Sequence, residues 1–389
     1  MKHIAYLCAD PGIPVFGTKG ASIHVQEVIR ALLKAGHEVT LFATRFDGNR
    51  PPGLEKLRCV ELPALPKGEA EQRARAALDA RETMTSRLTE AAPFDLVYER
   101  YSLWSDVGMR WAQEAGVPGI LEVNAPLIEE QRTHRQLVLA DEAETIATSA
   151  FGHATAMIAV SPGVAQYLEK RPEAKGRVHV VANGVNPQSF SEAATLREAR
   201  QKATGGQQTV IGFLGTLKPW HGLPTLVEAF ARLNTRHPNT RLLIVGDGPG
   251  RGDMERQLQA HGLLERTTFS GAVQPAQVPA LLAAMDIATA PYPQQQDFYF
   301  SPLKIYEYLA AELPVVTTRV GHLDQVVLHE QDGLLVAPDD PADMADALAS
   351  LVTEPDRRLR MGRAGRQRIE AAHSWDAVVR QILHIADHS

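Results

Sequence analysis

Three short runs hold residue types that could grip a phosphorylated ligand. The first is Asp297 to Glu312, DFYFSPLKIYEYLAAE. Ser301 and Pro302 read there as a helix start, Ser as N-cap and Pro at the first helical position, where its missing N–H has no partner to lose. The backbone N–H groups of Leu303 and Lys304 then point out of the positive end of the helix dipole, an arrangement that suits an anion. One turn on, Glu307 supplies a hydrogen-bond acceptor, so a phosphate cradle followed by an acceptor suggests a nucleotide with its ribose. Taken alone, the run reads more readily as a capped core helix with a solvated glutamate. The second run, Gly215 to Gly222, carries Lys218 and His221 after a strand-like stretch, and Lys is a strong phosphate partner there. The third, Gly246-Asp247-Gly248-Pro249-Gly250, also lies between a strand and a helix.

Several other spellings carry less. Gly246 to Gly252 is not a dinucleotide fingerprint, because Arg251 stands in the place of the third glycine and no acid closes the next strand. Arg251-Gly252-Asp253 is an adhesion tripeptide in spelling only. Asp339-Asp340-Pro341 reads as N-capping rather than as a metal pair. No constellation with metal-ligand spacing is present, nor a convincing Ser/His/Asp set. Asn124, Glu129 and Glu130 follow a strand at Gly119–Val123 and are candidates to face a substrate, or are turn and first-turn helix chemistry.

These residues must be positioned by two alternating sets of strands and helices. The first set has strands at Lys2–Ala9, His37–Ala43, Asp95–Glu99, Gly119–Val123, Ala156–Val160 and Val178–Val181, with a helix expected from Ser22 to Gly36. The loop before that helix, with Gly12, Gly17 and Gly20, is either a bare connection or a glycine-rich lip against a ligand. The second set runs from Thr209 through strands at Arg241–Val245, Thr267–Ser270, Ile287–Ala290, Pro314–Thr317 and Gly333–Val336. Such alternation implies parallel sheets with ligand loops at the carboxyl ends of the strands. The expected organisation is α/β: a domain over 1–185, a linker over 186–208, a second domain over 209–373 and a final helix over 374–389.

The chain has 389 residues, enough for two domains, with 44% hydrophobic and 22% charged residues. A net charge of −6 gives no basic surface for nucleic acid. Residues 67–90 mix both charge signs, which reads as a solvated helical face; weak peripheral membrane contact is the minor reading. Cys8 and Cys59 lie in strand-like runs and are expected to be buried thiols. Neither a signal peptide nor a membrane span is apparent, so a cytoplasmic location is expected.

In order along the chain, Asn183-Gly184-Val185, Leu214-Gly215-Thr216-Leu217-Lys218-Pro219-Trp220-His221-Gly222, Ile244-Val245-Gly246-Asp247-Gly248-Pro249, Gly271-Ala272-Val273 and Ser301 to Tyr308 resemble the retaining glycosyltransferases of family 4. That resemblance spans nearly the whole chain. It implies the GT-B fold, two Rossmann-like doubly wound domains facing across a cleft, with a nucleotide-sugar donor held mainly by the second and the last helix returning to the first. On this likeness Gly20 offers backbone to the diphosphate and Lys218 neutralises it, helped by His221. Gly215, Gly246 and Gly248 are implied donor-binding residues, and Val273 contacts the base. Ser301, Leu303 and Lys304 present the helix end, and Glu307 accepts from the ribose hydroxyls. Lys218, His221 and Asn124 are the implied catalytic groups.

Three departures stand out. Tyr299 occupies the usual place of a glutamate on the donor sugar, and Asn124 that of a histidine. Thr216, Lys218 and His221 replace an Arg…Lys-Gly pair. The implied reaction is transfer of a sugar from a nucleotide diphosphate sugar to an acceptor hydroxyl, with front-face attack and no cofactor or metal. The rival readings are a nucleotide-sugar epimerase and a non-catalytic nucleotide-sugar-binding protein. Donor sugar, acceptor and oligomeric state are not fixed by these motifs.

Overall fold

The computed structural model describes every residue except Arg135, Thr204, Gln207, Gln296 and Asp297. Asp297, the first residue of the run that ends at Glu312, therefore lies outside the described residues.

Two parallel sheets account for the strands. The first contains β1 (His3–Cys8), β2 (Glu38–Ala43), β3 (Arg58–Glu61), β4 (Leu96–Arg100), β5 (Gly119–Val123), β6 (Ala156–Ala159) and β7 (Val178–Val180), in the order β3-β2-β1-β4-β5-β6-β7. The second contains β8 (Thr209–Leu214), β9 (Thr240–Val245), β10 (Thr267–Phe269), β11 (Ile287–Ala290), β12 (Val315–Thr318) and β13 (Gly333–Val336), in the order β10-β9-β8-β11-β12-β13. Strands buried on both faces read as continuous apolar runs, and β1 shows why. Its Ile4, Tyr6 and Cys8 enter one core layer while Ala5 and Leu7 enter the other. Each sheet reverses its strand order once, at β1/β4 and at β8/β11, and open α/β sheets bind ligands at the carboxyl ends beside such a switch point.

The chain divides into two compact units: Met1–Asn183 with Tyr299–Ser301 and Trp375–Ser389, and Gly184–Phe298 with Pro302–Ser374. The final helix, Trp375–His388, belongs to the first unit. Its apolar face (Trp375, Val378, Val379, Ile382, Leu383 and Ala386) joins the core layer beneath the helix Gly20–Lys34. Lys34 and Asp376 close that pairing at 2.5 Å.

Several sequence expectations change. The helix expected from Ser22 starts at Gly20, with Lys19 before it and no side-chain cap. The polar stretch 186–208, expected as a linker, carries a short turn at Pro187–Phe190 and a helix at Ala193–Ala203. Arg197 explains the helix. Its guanidinium is buried and donates to the carbonyls of Met285, Ala311 and Glu312. β3, recognised only as a strand-like run around Cys59, forms the sheet edge, which leaves that thiol half-exposed while Cys8 is buried. Residues 67–90 fold as two helices, Ala70–Asp79 and Arg81–Ala91, most of whose charged residues are exposed or half-buried. No helix among the described residues is long and apolar enough to cross a membrane.

Candidate functional site

In the second unit the candidate residues collect at the β8/β11 switch point. The helix Leu303–Ala310 is pinned there by Tyr308, whose hydroxyl accepts from the Leu214 N–H at 2.7 Å and donates to the Thr289 carbonyl at 3.1 Å. One buried side chain thus fixes the helix to the ends of both strands.

Its first turn differs in detail from the sequence expectation. Pro302, not Ser301, is the N-cap residue; its carbonyl accepts the first helical bond, from Ile305 N–H at 2.9 Å. Ser301 lies outside the helix with its Oγ buried and without a hydrogen-bond partner among the described residues. Leu303 is exposed at the helix start.

The glycines draw the loops together. Gly215 has φ 141° and Gly246 φ 134°. A Cβ on Gly246 would lie 2.1 Å from the Gly215 carbonyl oxygen, and one on Gly248 2.7 Å from the Leu217 nitrogen. Those two glycines therefore let the loops after β8 and β9 cross at backbone contact, which Leu217 N–H to Asp247 O (3.0 Å) and Gly250 N–H to Leu217 O (2.9 Å) then secure.

Lys304 is the feature that motif spacing does not disclose. Its Nζ sits 4.4 Å from the centre of the Phe213 ring and 5.4 Å from that of Tyr292. It is shielded from solvent and has no hydrogen-bond acceptor among the described residues. Cation–π contact compensates only part of an ammonium's lost hydration. Burial accordingly lowers the Lys304 pKa to about 7, although Glu307 one turn on works to raise it. Burial also raises Glu307 to about 7, with Lys304 opposing. Gly215 makes room for this arrangement, since a Cβ there would stand 2.9 Å from Nζ.

The two residues expected to carry charge in the β8 loop behave differently from one another. Lys218 is half-buried and lies 5.5 Å over the Trp220 ring, which is itself half-exposed. His221 holds the Thr216 carbonyl through Nδ1 at 2.5 Å, so Nδ1 carries the proton. Burial, with Lys304 adding repulsion, lowers its pKa to about 4. In this structure His221 is neutral near pH 7, so the expected help to Lys218 is not present as a charge. Val273 is half-buried in the loop after β10. Asp340 caps the helix Pro341–Thr353, accepting from Ala342 and Asp343 N–H at 3.0 Å each, as its N-cap reading required.

The first unit holds Gly20 and Asn124. Gly20 opens its helix with nothing within 4 Å of where a Cβ would stand. Asn124, just past β5, has its amide nitrogen committed to Glu122 at 2.6 Å. Glu122 is buried and also meets His24 at 3.0 Å, Arg100 at 3.0 Å and the Tyr98 hydroxyl. Burial alone would raise this carboxyl, but His24, Arg100 and Tyr98 overcome it and hold it well below the usual carboxylate range. The neighbouring Tyr299, within the same unit, donates to Glu130 at 2.6 Å, and its carbonyl accepts from Ser161. His24 and Arg100 escape a reading by sequence; the one signal is a glutamate in an otherwise apolar strand, a charge that needs partners.

Comparisons with known proteins agree with this architecture. Residues 18–189 match the family model Glycosyltransferase Family 4, and residues 208–354 match Glycosyl transferases group 1. A D-inositol 3-phosphate glycosyltransferase from Corynebacterium jeikeium is 28% identical over 92% of this chain and 89% of its own length. A glycogen synthase from Mycobacterium tuberculosis is 30% identical over 52% of this chain, and the chain spans less than half (46%) of that enzyme. Anabaena HepE, solved in complex with UDP and glucose, has a TM-score of 0.72 at 18% identity, covering 100% of both chains. The fold is GT-B, and with both family models matched in register along most of its length, the chain belongs to the group 1, family 4 glycosyltransferases.

Proposed function

We propose that this protein transfers a sugar from a nucleoside diphosphate sugar to an acceptor hydroxyl, with retention at the anomeric carbon and without a metal. The observation that supports the reading is that the start of helix Leu303–Ala310, with Lys304 against Phe213, and the loop after β8 that carries Lys218 both lie at the carboxyl end of the β8/β11 switch point. Glycosyl transfer leaves a diphosphate, and cations with aimed N–H groups lower the barrier by holding that charge as it develops. In this reading Lys218 and the helix end fulfil the electrostatic task a metal would otherwise take. Glu307 accepts from the ribose and Val273 lies against the base. The departing diphosphate stays on the face it leaves, and one of its oxygens takes the proton of the incoming hydroxyl. One C–O bond breaks as another forms on that face, giving retention.

A thermal-shift screen of UDP-, GDP- and ADP-sugars identifies the donor, because a ligand bound only by the folded form raises its melting temperature. Transfer is then followed with trial acceptors, D-inositol 3-phosphate among them, with and without chelator. The anomeric configuration of the product is read by NMR. Lys218→Ala is expected to lower kcat on the order of 100-fold, the effect of removing one group that stabilises developing charge. Wild-type turnover in that variant removes Lys218 from the mechanism. An inverted product rejects retention, and a free epimerised sugar made without acceptor rejects transfer.

A further inference from the structure

Lys304 stands apart from the other cations of the second unit. Its ammonium is out of solvent, has no acceptor among the described residues, and rests against two aromatic faces directly under a glycine that leaves it space. A buried charge without a hydrogen-bonded partner is costly, and nothing in the packing of helix Leu303–Ala310 demands it. A methionine of similar length would fill the same groove between Phe213 and Tyr292. The position lies at the second residue of the helix, within its first turn, the positive end of the helix dipole.

We infer that the side chain of Lys304, and not only the backbone of its helix end, is a ligand for the diphosphate, supplying the second cation beside Lys218. This rests on the nucleoside diphosphate reading given above. The groups facing Nζ can be named from each element packed on it: His221 from the loop after β8, Tyr292 just past β11, and Glu307 from its own helix, where Tyr308 follows it with its hydroxyl held by Leu214 and Thr289. His221 is neutral near pH 7, and burial raises both tyrosine hydroxyls well above their ordinary range. Among the described residues, Glu307 is therefore the one that competes for the proton near neutrality.

The sign follows from linkage. Free Lys304 loses its proton near pH 7, and an anion beside it favours the charged form, so binding draws a proton in. Affinity should then weaken as pH rises above 7, by up to about tenfold per pH unit. A free nucleoside diphosphate contributes no uptake of its own at pH 8, because its terminal phosphate, titrating near 6, is already ionised.

The experiment is isothermal titration of the full chain with UDP, GDP and ADP at pH 8 in buffers of different ionisation enthalpy, repeated from pH 7 to 9. Wild type should bind one of them with net proton uptake. Lys304→Met should bind it roughly tenfold or more weakly, as expected for one lost charge-assisted contact, with neither uptake nor pH dependence. Lys218→Ala should bind more weakly yet keep the uptake. Thermal unfolding checks the fold, and Lys304→Met should melt no lower than wild type; Lys304→Arg, if it binds tightly without pH dependence, supports the same role. Equal affinity and equal uptake in Lys304→Met overturn the inference while leaving the transferase reading intact. The inference also falls if uptake survives in Lys304→Met and vanishes in Glu307→Gln. Failure of wild type to bind any of the three nucleotides sinks both.

Discussion

Two buried charges in this chain are handled in opposite ways. Lys304 is left without an acceptor among the described residues, whereas Glu122 is surrounded by His24, Arg100, Tyr98 and Asn124. The second pattern is that of a structural network, since removing one partner of a buried set strands the others. Glu122→Gln should therefore destabilise the first unit by about 3–5 kcal/mol, leaving Arg100 without its countercharge. Its pH signature has a definite sign. The folded-state pKa is depressed, so the stabilisation is complete above the unfolded value near 4.5 and is lost as pH falls below it. Urea unfolding followed from pH 7 to pH 3 should show a steep acid loss in wild type that is reduced in Glu122→Gln. Identical slopes in the two proteins would deny Glu122 that role. Asn124, placed among the catalytic candidates by resemblance, has one of its two amide N–H donors tied into this network.

At the scale of elements, much of the molecule is legible in the sequence because the determinants are local. Ile4 to Cys8 form an apolar run whether or not the rest of the fold is known, and the glycines after β8 and β9 mark sharp loops. What those glycines approach is not legible: Gly246 meets Gly215 through the pairing of two strands, not through sequence proximity. Lys304 belongs to the same category, because its aromatic faces come from two other strand ends. The helix Ala193–Ala203 is the sharpest case. Its small and polar composition resembles a tether, yet Arg197 reaches three carbonyls on Met285, Ala311 and Glu312. Nothing near Arg197 in sequence announces them. Arg197→Ala should cost about 3 kcal/mol or more, since each stranded buried carbonyl loses a partner at about 1–3 kcal/mol. Arg197→Lys should recover only part of that loss, because an ammonium lacks the planar fork. Denaturant midpoints for the two variants check it; unchanged midpoints would make the helix a mere connector.

For the whole molecule, the last helix raises a separate question, because its residues are remote in sequence from the unit they complete. Trp375, Val378, Val379, Ile382, Leu383 and Ala386 enter the core layer of the first unit, where Trp375 meets His24 edge-on at 4.9 Å between ring centres. Burying each large apolar side chain is worth roughly 1.5–3 kcal/mol, so the helix contributes on the order of 10 kcal/mol, an upper figure. That equals the entire net stability of a typical domain. A chain ending at Ser374 should therefore lose the first unit while the second, whose sheet and helices lie within residues 184–374 apart from Tyr299–Ser301, keeps its own core. Hydrogen exchange on the full and shortened chains separates the outcomes. Amides of β1, β4 and β5 should lose protection in the shortened chain, and those of β8, β9 and β11 should retain it. Uniform loss would mean that the second unit cannot stand without the first. Unchanged protection in β1 would mean that the apolar face of the last helix contributes far less than its buried area implies.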